Sequence, residues 1–171
     1  MKELERTFLA KEIPASLEGL PCTELLDVYI PRQAAHAHLR LRKKGERYEL
    51  TKKMRVEKDD ASNLIEQTID LSLDEFRALE AVEGKRVRKL RYRLDHEGLI
   101  LEIDVFQDDL RGLVLIDVEF SSLEAKAQFK TPNFALVEVT QDDNFAGGML
   151  CGKKYSEIEP ILKKYGYKKL A

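Results

Sequence analysis

Residues 85–106 read KRVRKLRYRLDHEGLILEIDVF, and the alternation within them decides the fold. Over 86–94, Leu90, Tyr92 and Leu94 share one face of an extended chain while Lys89, Arg91 and Arg93 share the other, because successive side chains of a strand point to opposite faces. Asp95-His96-Glu97-Gly98 supplies turn chemistry of the kind that closes a hairpin. The second strand, 99–106, sets Glu102 and Asp104 on a common face. An antiparallel hairpin with one charged face is the result.

The same period recurs along the chain. It predicts further strands at 2–9, 25–30, 37–43, 46–55, 63–70 and 113–120. Lys44-Gly45 joins two of them as a turn. The charged partners come in same-sign pairs: Glu3/Glu5, Glu102/Asp104 and Asp117/Glu119 are acidic, whereas Arg40/Arg42, Lys53/Arg55 and Lys89/Arg91 are basic. A solvated sheet face gains by mixing signs, since like charges directly opposite one another repel. Segregated pairs instead suit a ligand that is a polyanion sharing its charge with a divalent metal. A sheet with such a face either turns it to water or closes into a barrel around it.

Helices are short and few. Ser72-Leu73-Asp74-Glu75 has the form of a capping box opening a helix to about Val82. Ser121-Ser122-Leu123-Glu124 predicts a second to about Phe129, stopped before Pro132. Pro160 suits a first helical turn and Gly166 a C-cap, giving a third. Residues 10–24, with Pro14, Gly19 and Pro21, read as irregular.

With 171 residues and neither a low-complexity linker nor a repeat, 1–171 is expected to be a single α+β domain. Net charge is −2, so no global basic field draws in nucleic acid, and any basic site is local. The dense run Lys85–Arg93 lacks the interleaved exposed aromatics of a single-strand stacking platform; Arg86 and Arg88, on its apolar parity, read as structural or surface residues. Two cysteines without C-x-x-C, an amino-terminal stretch without an apolar core, and no span-length apolar run predict a soluble protein of the reducing cytoplasm, off the membrane.

Candidate chemistry follows from residue types. Glu3, Glu5, Asp117 and Glu119 are hard oxygen donors at strand spacing, suited to Mg2+ or Mn2+. Arg40 and Arg42 can grip phosphate oxygens bidentately, with Lys53 and Lys89 as point charges beside them. His36 and His38 form an H-x-H without a third ligand nearby and read as surface residues at a strand entry. There is no G-x-S-x-G, no Walker-type loop, and Gly147-Gly148, the one double glycine, follows the strands. Metal-assisted attack by water, or by an internal hydroxyl, on a phosphate chain is the chemistry left.

Six of these elements, in order, resemble the signatures of the CYTH superfamily, the triphosphate tunnel metalloenzymes. Glu3-Leu4-Glu5-Arg6-Thr7 is similar to its E-x-E-x-K opening, Arg40-Leu41-Arg42 to R-x-R, and Thr51-Lys52-Lys53 to T-x-K. Lys89-Leu90-Arg91 is similar to K-x-R, Glu102-Ile103-Asp104 to E-x-D, and Asp117-Val118-Glu119 to the late E-x-E. The resemblance spans essentially the whole chain. It implies an eight-stranded antiparallel closed barrel, a tunnel with a few short helices packed outside. It also implies metal binding by Glu3, Glu5, Asp117 and Glu119, and phosphate binding by Arg40, Arg42, Lys53, Lys89 and Arg91. Glu66 matches the central E-x-E, but its neighbours on that face are Leu64 and Thr68.

One departure stands out. Thr7 occupies the place of the signature lysine, which in the family positions or activates the attacking water. Glu5, Thr7 and Lys53 are therefore the candidate catalytic positions. The expected activity is metal-dependent hydrolysis of a small triphosphate, first among them inorganic tripolyphosphate. A non-catalytic polyphosphate- or nucleotide-binding module is the alternative that Thr7 suggests. Class IV adenylyl cyclase is a third, with Tyr29, Tyr48 and Phe134 as stacking surface. A monomer and a homodimer are both compatible with the sequence.

Overall fold

The computed structural model describes residues 2–170. Among these described residues there are nine strands: β1 (Lys2–Ala10), β2 (Cys22–Ile30), β3 (Leu39–Lys44), β4 (Arg47–Glu57), β5 (Asp60–Leu71), β6 (Lys85–His96), β7 (Leu99–Phe106), β8 (Val114–Phe120) and β9 (Ala135–Glu138). Their order is β5-β4-β3-β2-β6-β7-β8-β1, and β1 returns to pair with β5, so eight antiparallel strands close into a barrel. The expected architecture is the observed one. β1 is the closing strand: Lys2–Leu4 pair with β5, Leu4–Leu9 pair with β8, and Phe8–Ala10 pair with β9. β9 thus continues on the flank of β1 that β5 leaves.

Local chemistry explains the joints. β6 and β7 are linked by Glu97 and Gly98, both at positive φ (53° and 80°), the pair of left-handed residues that a type I′ hairpin turn requires. The helix α1 (Leu73–Glu80) opens on a reciprocal box: Ser72 Oγ accepts from the Glu75 amide at 3.3 Å and Glu75 Oε2 accepts from the Ser72 amide at 2.7 Å. α2 (Leu123–Gln128) opens with Ser122 Oγ accepting from the Ala125 amide at 3.1 Å. A one-turn helix α3 (Gly147–Leu150) and the carboxy-terminal α4 (Tyr155–Lys164) follow.

Two local expectations need correcting. β2 starts at Cys22, inside the segment read as irregular. Pro160 lies within α4 rather than in its first turn; Ile158 and Leu162, four apart and both buried, anchor that helix, so packing outweighs the lost amide donor.

Most of the apolar core lies outside the barrel wall, although Tyr29, Phe106 and Leu115 line the cavity as well as packing beneath the carboxy-terminal helices. Phe8, Ile103, Ile116, Val118 and Phe120 form one cluster with Phe129 beside it, and Leu9, Leu113, Leu150, Ile158 and Leu162 belong to another beneath the carboxy-terminal helices. Val28, Leu41 and Phe76 form a third under α1. Each of the eight barrel strands gives its other face to the interior. Ile116 is fully buried and Ile69 is 61% exposed. Ile116→Ala is therefore expected to cost about 2–5 kcal/mol and Ile69→Ala to stay within about 0.5 kcal/mol, measured by urea denaturation; equal losses would mean that the outer core is not where the stability lies.

Candidate active site

The barrel encloses a cavity of about 420 Å³ lined by the inward residues of every barrel strand, among them Glu3, Glu5, Thr7, Tyr29, Arg40, Arg42, Thr51, Lys53, Glu66, Lys89, Arg91, Asp104, Asp117 and Glu119. All the candidate site residues named from the sequence face it. Their charges divide into an acidic side and a basic side.

Register builds the acidic side. Glu5 pairs with Glu119 and Thr7 with Asp117 across β1 and β8, which brings like charges opposite one another on the inner face. Lys53 reaches them from β4: its Nζ lies 2.7 Å from Glu3 Oε2, 3.4 Å from Glu5 Oε2 and 3.3 Å from Glu66 Oε2. Glu3 Oε2 is buried and, despite that ion pair, receives no hydrogen bond of good geometry. Thr7 Oγ1 donates to Asp117 Oδ1 at 2.7 Å, and the Thr7 amide donates to Thr140 Oγ1 at 3.0 Å. Burial raises the Glu5 carboxyl from its ordinary 4.5 to about 6; Lys53 opposes this, and Asp117 and Glu3 add to it. Burial also raises Asp117, with the Asp104 charge adding, and raises Glu119, with Glu3 and Glu102 adding.

The basic side is held by buried acids. Arg42 Nε and Nη2 donate to Asp27 Oδ1 and Oδ2 at 2.6 and 2.7 Å. Arg91 Nε and Nη2 donate to the two oxygens of Asp104, each at 2.7 Å, while Arg91 Nη1 binds Glu102 and Lys89 Nζ binds Asp104. Burial alone would raise Asp27 and Asp104; the Arg42 guanidinium beside one, and Arg91 with Lys89 beside the other, hold both carboxyls far below the usual range. Lys89 is pushed down by burial and by Arg91 and Arg42, with Asp104 opposing. Arg40 is held less firmly: its Nη2 is 3.9 Å from Glu66 Oε2, and its Nε is buried without a hydrogen-bond partner.

Sequence patterns do not single out Asp27, and they assign Asp104 no role at the site. A single acid inside the apolar run Leu25-Leu26-Asp27-Val28-Tyr29 was the available signal for the first, since an isolated charge in a buried strand demands a partner. Tyr29 and the segment Asp142–Gly148 also line the cavity. A Cβ on Gly147 would run into the Tyr29 hydroxyl, and one on Gly148 into the Ala37 carbonyl, so the double glycine lets α3 close against β2 and the loop before β3. His36 and His38 stack with centroids 4.3 Å apart beside Arg55 and Asp143, at a smaller pocket adjoining the tunnel. Of the three aromatics considered for stacking, Tyr29 alone faces the cavity. Tyr48, on the outward parity of β4, packs on Phe76, and Phe134, just before β9, belongs to the outer core. Arg86 pairs with Glu80, and Arg88 with Glu24 and Asp108, as surface residues.

Among the described residues, no three His, Cys, Asp or Glu side chains form a ready-made metal cage; Lys53 and Arg91 are interposed between the acids. The acids nonetheless suit a hard divalent cation. They are oxygen donors from adjacent strands, one buried oxygen lacks a hydrogen bond, and burial raises the Glu5, Asp117 and Glu119 carboxyls, with neighbouring acids adding.

No family model matches the chain. It is 34% identical over 149 residues to an inorganic triphosphatase of Nitrosomonas europaea, covering 85% of this chain and 93% of that protein. It is 32% identical over 73 residues to an inorganic triphosphatase of Acetivibrio thermocellus, covering 43% of this chain and 46% of that one. A crystal structure of an inorganic triphosphatase superposes with TM-score 0.63 at 31% identity, covering 88% of this chain and 95% of that one. A putative adenylate cyclase from Bacillus halodurans shares the fold at TM-score 0.54 and 16% identity, covering 99% and 94%.

The raised Glu5 carboxyl has a thermodynamic consequence. Its folded value lies above its unfolded one, so its contribution to stability is complete below about 4.5 and is lost as pH rises through about 6. Without divalent ions, the stability difference between wild type and Glu5→Gln should shift toward the variant by about 1–2 kcal/mol from about pH 4 to about pH 7.5. Urea denaturation across that range measures it; no shift would mean that Glu5 is not a desolvated carboxylate.

Proposed function

Since the chain belongs to the CYTH superfamily of triphosphate tunnel metalloenzymes, we propose that it hydrolyses a small triphosphate, with inorganic tripolyphosphate as the substrate and Mg2+ or Mn2+ as the ion. The observation that carries this reading is the division of a closed, charged interior into a cationic wall and an acidic wall. A linear polyanion matches the first, and a divalent ion bridging to it matches the second. The inorganic triphosphatase from Nitrosomonas europaea, alike over most of both chains, supports the substrate class.

In this reading Arg40, Arg42, Lys89 and Arg91 bind and align the phosphates. Arg42 and Arg91 are pre-oriented by Asp27 and Asp104, so little ordering remains for substrate to impose. Arg40 Nε, buried and without a partner, offers a donor that a phosphate oxygen satisfies. Glu3, Glu5, Asp117 and Glu119 hold the ion, which when bound neutralises phosphate charge and makes water a better nucleophile. Thr7 cannot take up a proton; by donating to Asp117 Oδ1 it fixes the direction of that carboxylate. Lys53 of β4, between Glu3 and Glu5 of β1 and Glu66 of β5, is the cation that links the acidic wall to the phosphates. Water attacks a phosphorus, a P–O–P bridge breaks, and tripolyphosphate leaves as pyrophosphate and phosphate.

Phosphate release from tripolyphosphate with Mg2+ or Mn2+, compared with ATP and thiamine triphosphate, tests the proposal. Release from tripolyphosphate should stop on chelation, and Arg40→Ala should lower kcat/KM by about 10²–10³-fold. Bound substrates with no release from any of them would overturn hydrolysis. Thr7 favours one second reading, a binding module without turnover. That reading requires Thr7→Lys to create activity, whereas hydrolysis by the natural chain predicts that the variant stays within about tenfold of it.

A further inference from the structure

The acidic wall already holds a cation, the ammonium of Lys53. Its Nζ lies 2.7 Å from Glu3 Oε2, 3.4 Å from Glu5 Oε2 and 3.3 Å from Glu66 Oε2. Two of those oxygens belong to the carboxylates assigned above to the metal. A divalent ion drawn to Glu3 and Glu5 must share them with that ammonium or displace it. We infer that Lys53 and the divalent ion compete for Glu3 and Glu5, so that the ion enters by displacing the lysine, and the displaced lysine then becomes a phosphate ligand. This rests on the assignment of Glu3 and Glu5 to the metal.

The geometry gives the exchange a direction. Lys53 lies on β4 beside Arg40 of β3: the Lys53 amide donates to the His38 carbonyl at 3.3 Å, and Arg40 pairs in register with Thr51. An ammonium leaving the carboxylates meets the Arg40 guanidinium as a neighbouring positive charge. It is stable there only with an anion between the two. A phosphate of the substrate is such an anion, and Arg40 Nε has no partner of its own. Ion and triphosphate therefore assist one another: the ion frees the lysine, and the triphosphate gives the freed lysine a partner. Either ligand alone binds weakly because it leaves one half of the exchange uncompensated. Thr7 keeps the competition to one lysine, since β1 places a neutral hydroxyl next to Asp117.

Lys53 acts on the ion through the acids that it holds, so the test reads metal binding rather than turnover. Mn2+ binding, without any phosphate, is measured by calorimetry and by the electron paramagnetic resonance of unbound Mn2+. Wild type is compared with Lys53→Met, Lys53→Gln and Lys53→Arg, and thermal denaturation identifies folded variants. The uncharged variants should bind Mn2+ about tenfold or more tightly than wild type, whereas Lys53→Arg should stay close to wild type. Two uncharged variants keep the measurement available if one fails to fold. Wild-type Mn2+ binding that is unchanged or weakened in Met and Gln overturns the exchange and leaves the metal assignment standing. Mn2+ uptake by none of the proteins overturns the metal assignment together with the exchange. A gain in Arg equal to that in Met also overturns it, because the charge would then not be the competitor.

Discussion

Charge enclosed by a closed sheet is the constraint on which this molecule depends. Moving one ion out of water costs several kcal/mol even after relaxation, and the interior carries many. The cost is bearable because each fixed cation has an acid supplied from a neighbouring strand. Asp27 of β2 grips Arg42 of β3, and Asp104 of β7 grips Arg91 and Lys89 of β6. At about 4 Å and surface-like screening such a pair gains roughly 4 kcal/mol, comparable with the desolvation it offsets. The strand order follows the same logic. β2–β3 and β6–β7 are neighbours, so the partners stand opposite one another in register: Asp27 with Arg42, and Arg91 with Asp104.

An interior given largely to charge sends most of the apolar core outside. Phe8, Ile103, Ile116 and Val118 need a cover, and short helices with the carboxy-terminal segment provide one. β1 shows how closely the two demands are interleaved. Glu3, Glu5 and Thr7 face the cavity, while Phe8 is buried on the other side. A slip of one residue in this strand would bury carboxylates among phenyl rings and put phenyl rings in the tunnel. Pairing with three strands in succession, β5, β8 and β9, resists that slip.

Much of this was legible in the sequence, for one reason. A strand's period is two, so Arg40 and Arg42, or Lys89 and Arg91, declare their common face without knowledge of any neighbour. The R-x-R and K-x-R pairs therefore declare a charged face, and the family resemblance is what makes that face an inner wall. What stayed hidden depends on contacts across the barrel. Lys53 reads as a phosphate ligand by its motif, yet its amine stands among Glu3, Glu5 and Glu66. Asp27 has no same-sign companion two residues away, so the pairing rule passed over it. β9 is four residues, ALVE, too short to show a period; β1 supplies the edge that makes it a strand. Gly147 and Gly148 looked like punctuation after the strands, but they are small because Tyr29 and Ala37 lie against them.

Thr7 reads differently once its surroundings are known. A lysine there would add a second ammonium beside Glu5 and Asp117, where Lys53 and Arg91 already stand. The threonine hydroxyl makes one hydrogen bond to Asp117 and brings no charge. Burial keeps the Asp117 and Glu119 carboxyls raised, with the charges of Asp104 on the first and of Glu3 and Glu102 on the second adding, while the Thr7 hydroxyl works against this at Asp117. Charge left over in a low-dielectric wall is destabilising by itself, and a divalent cation relieves it more completely than another lysine, because it binds several oxygens at once. The substitution on β1 thus removes a side chain that reaches for the acids and leaves more of their negative charge to an ion.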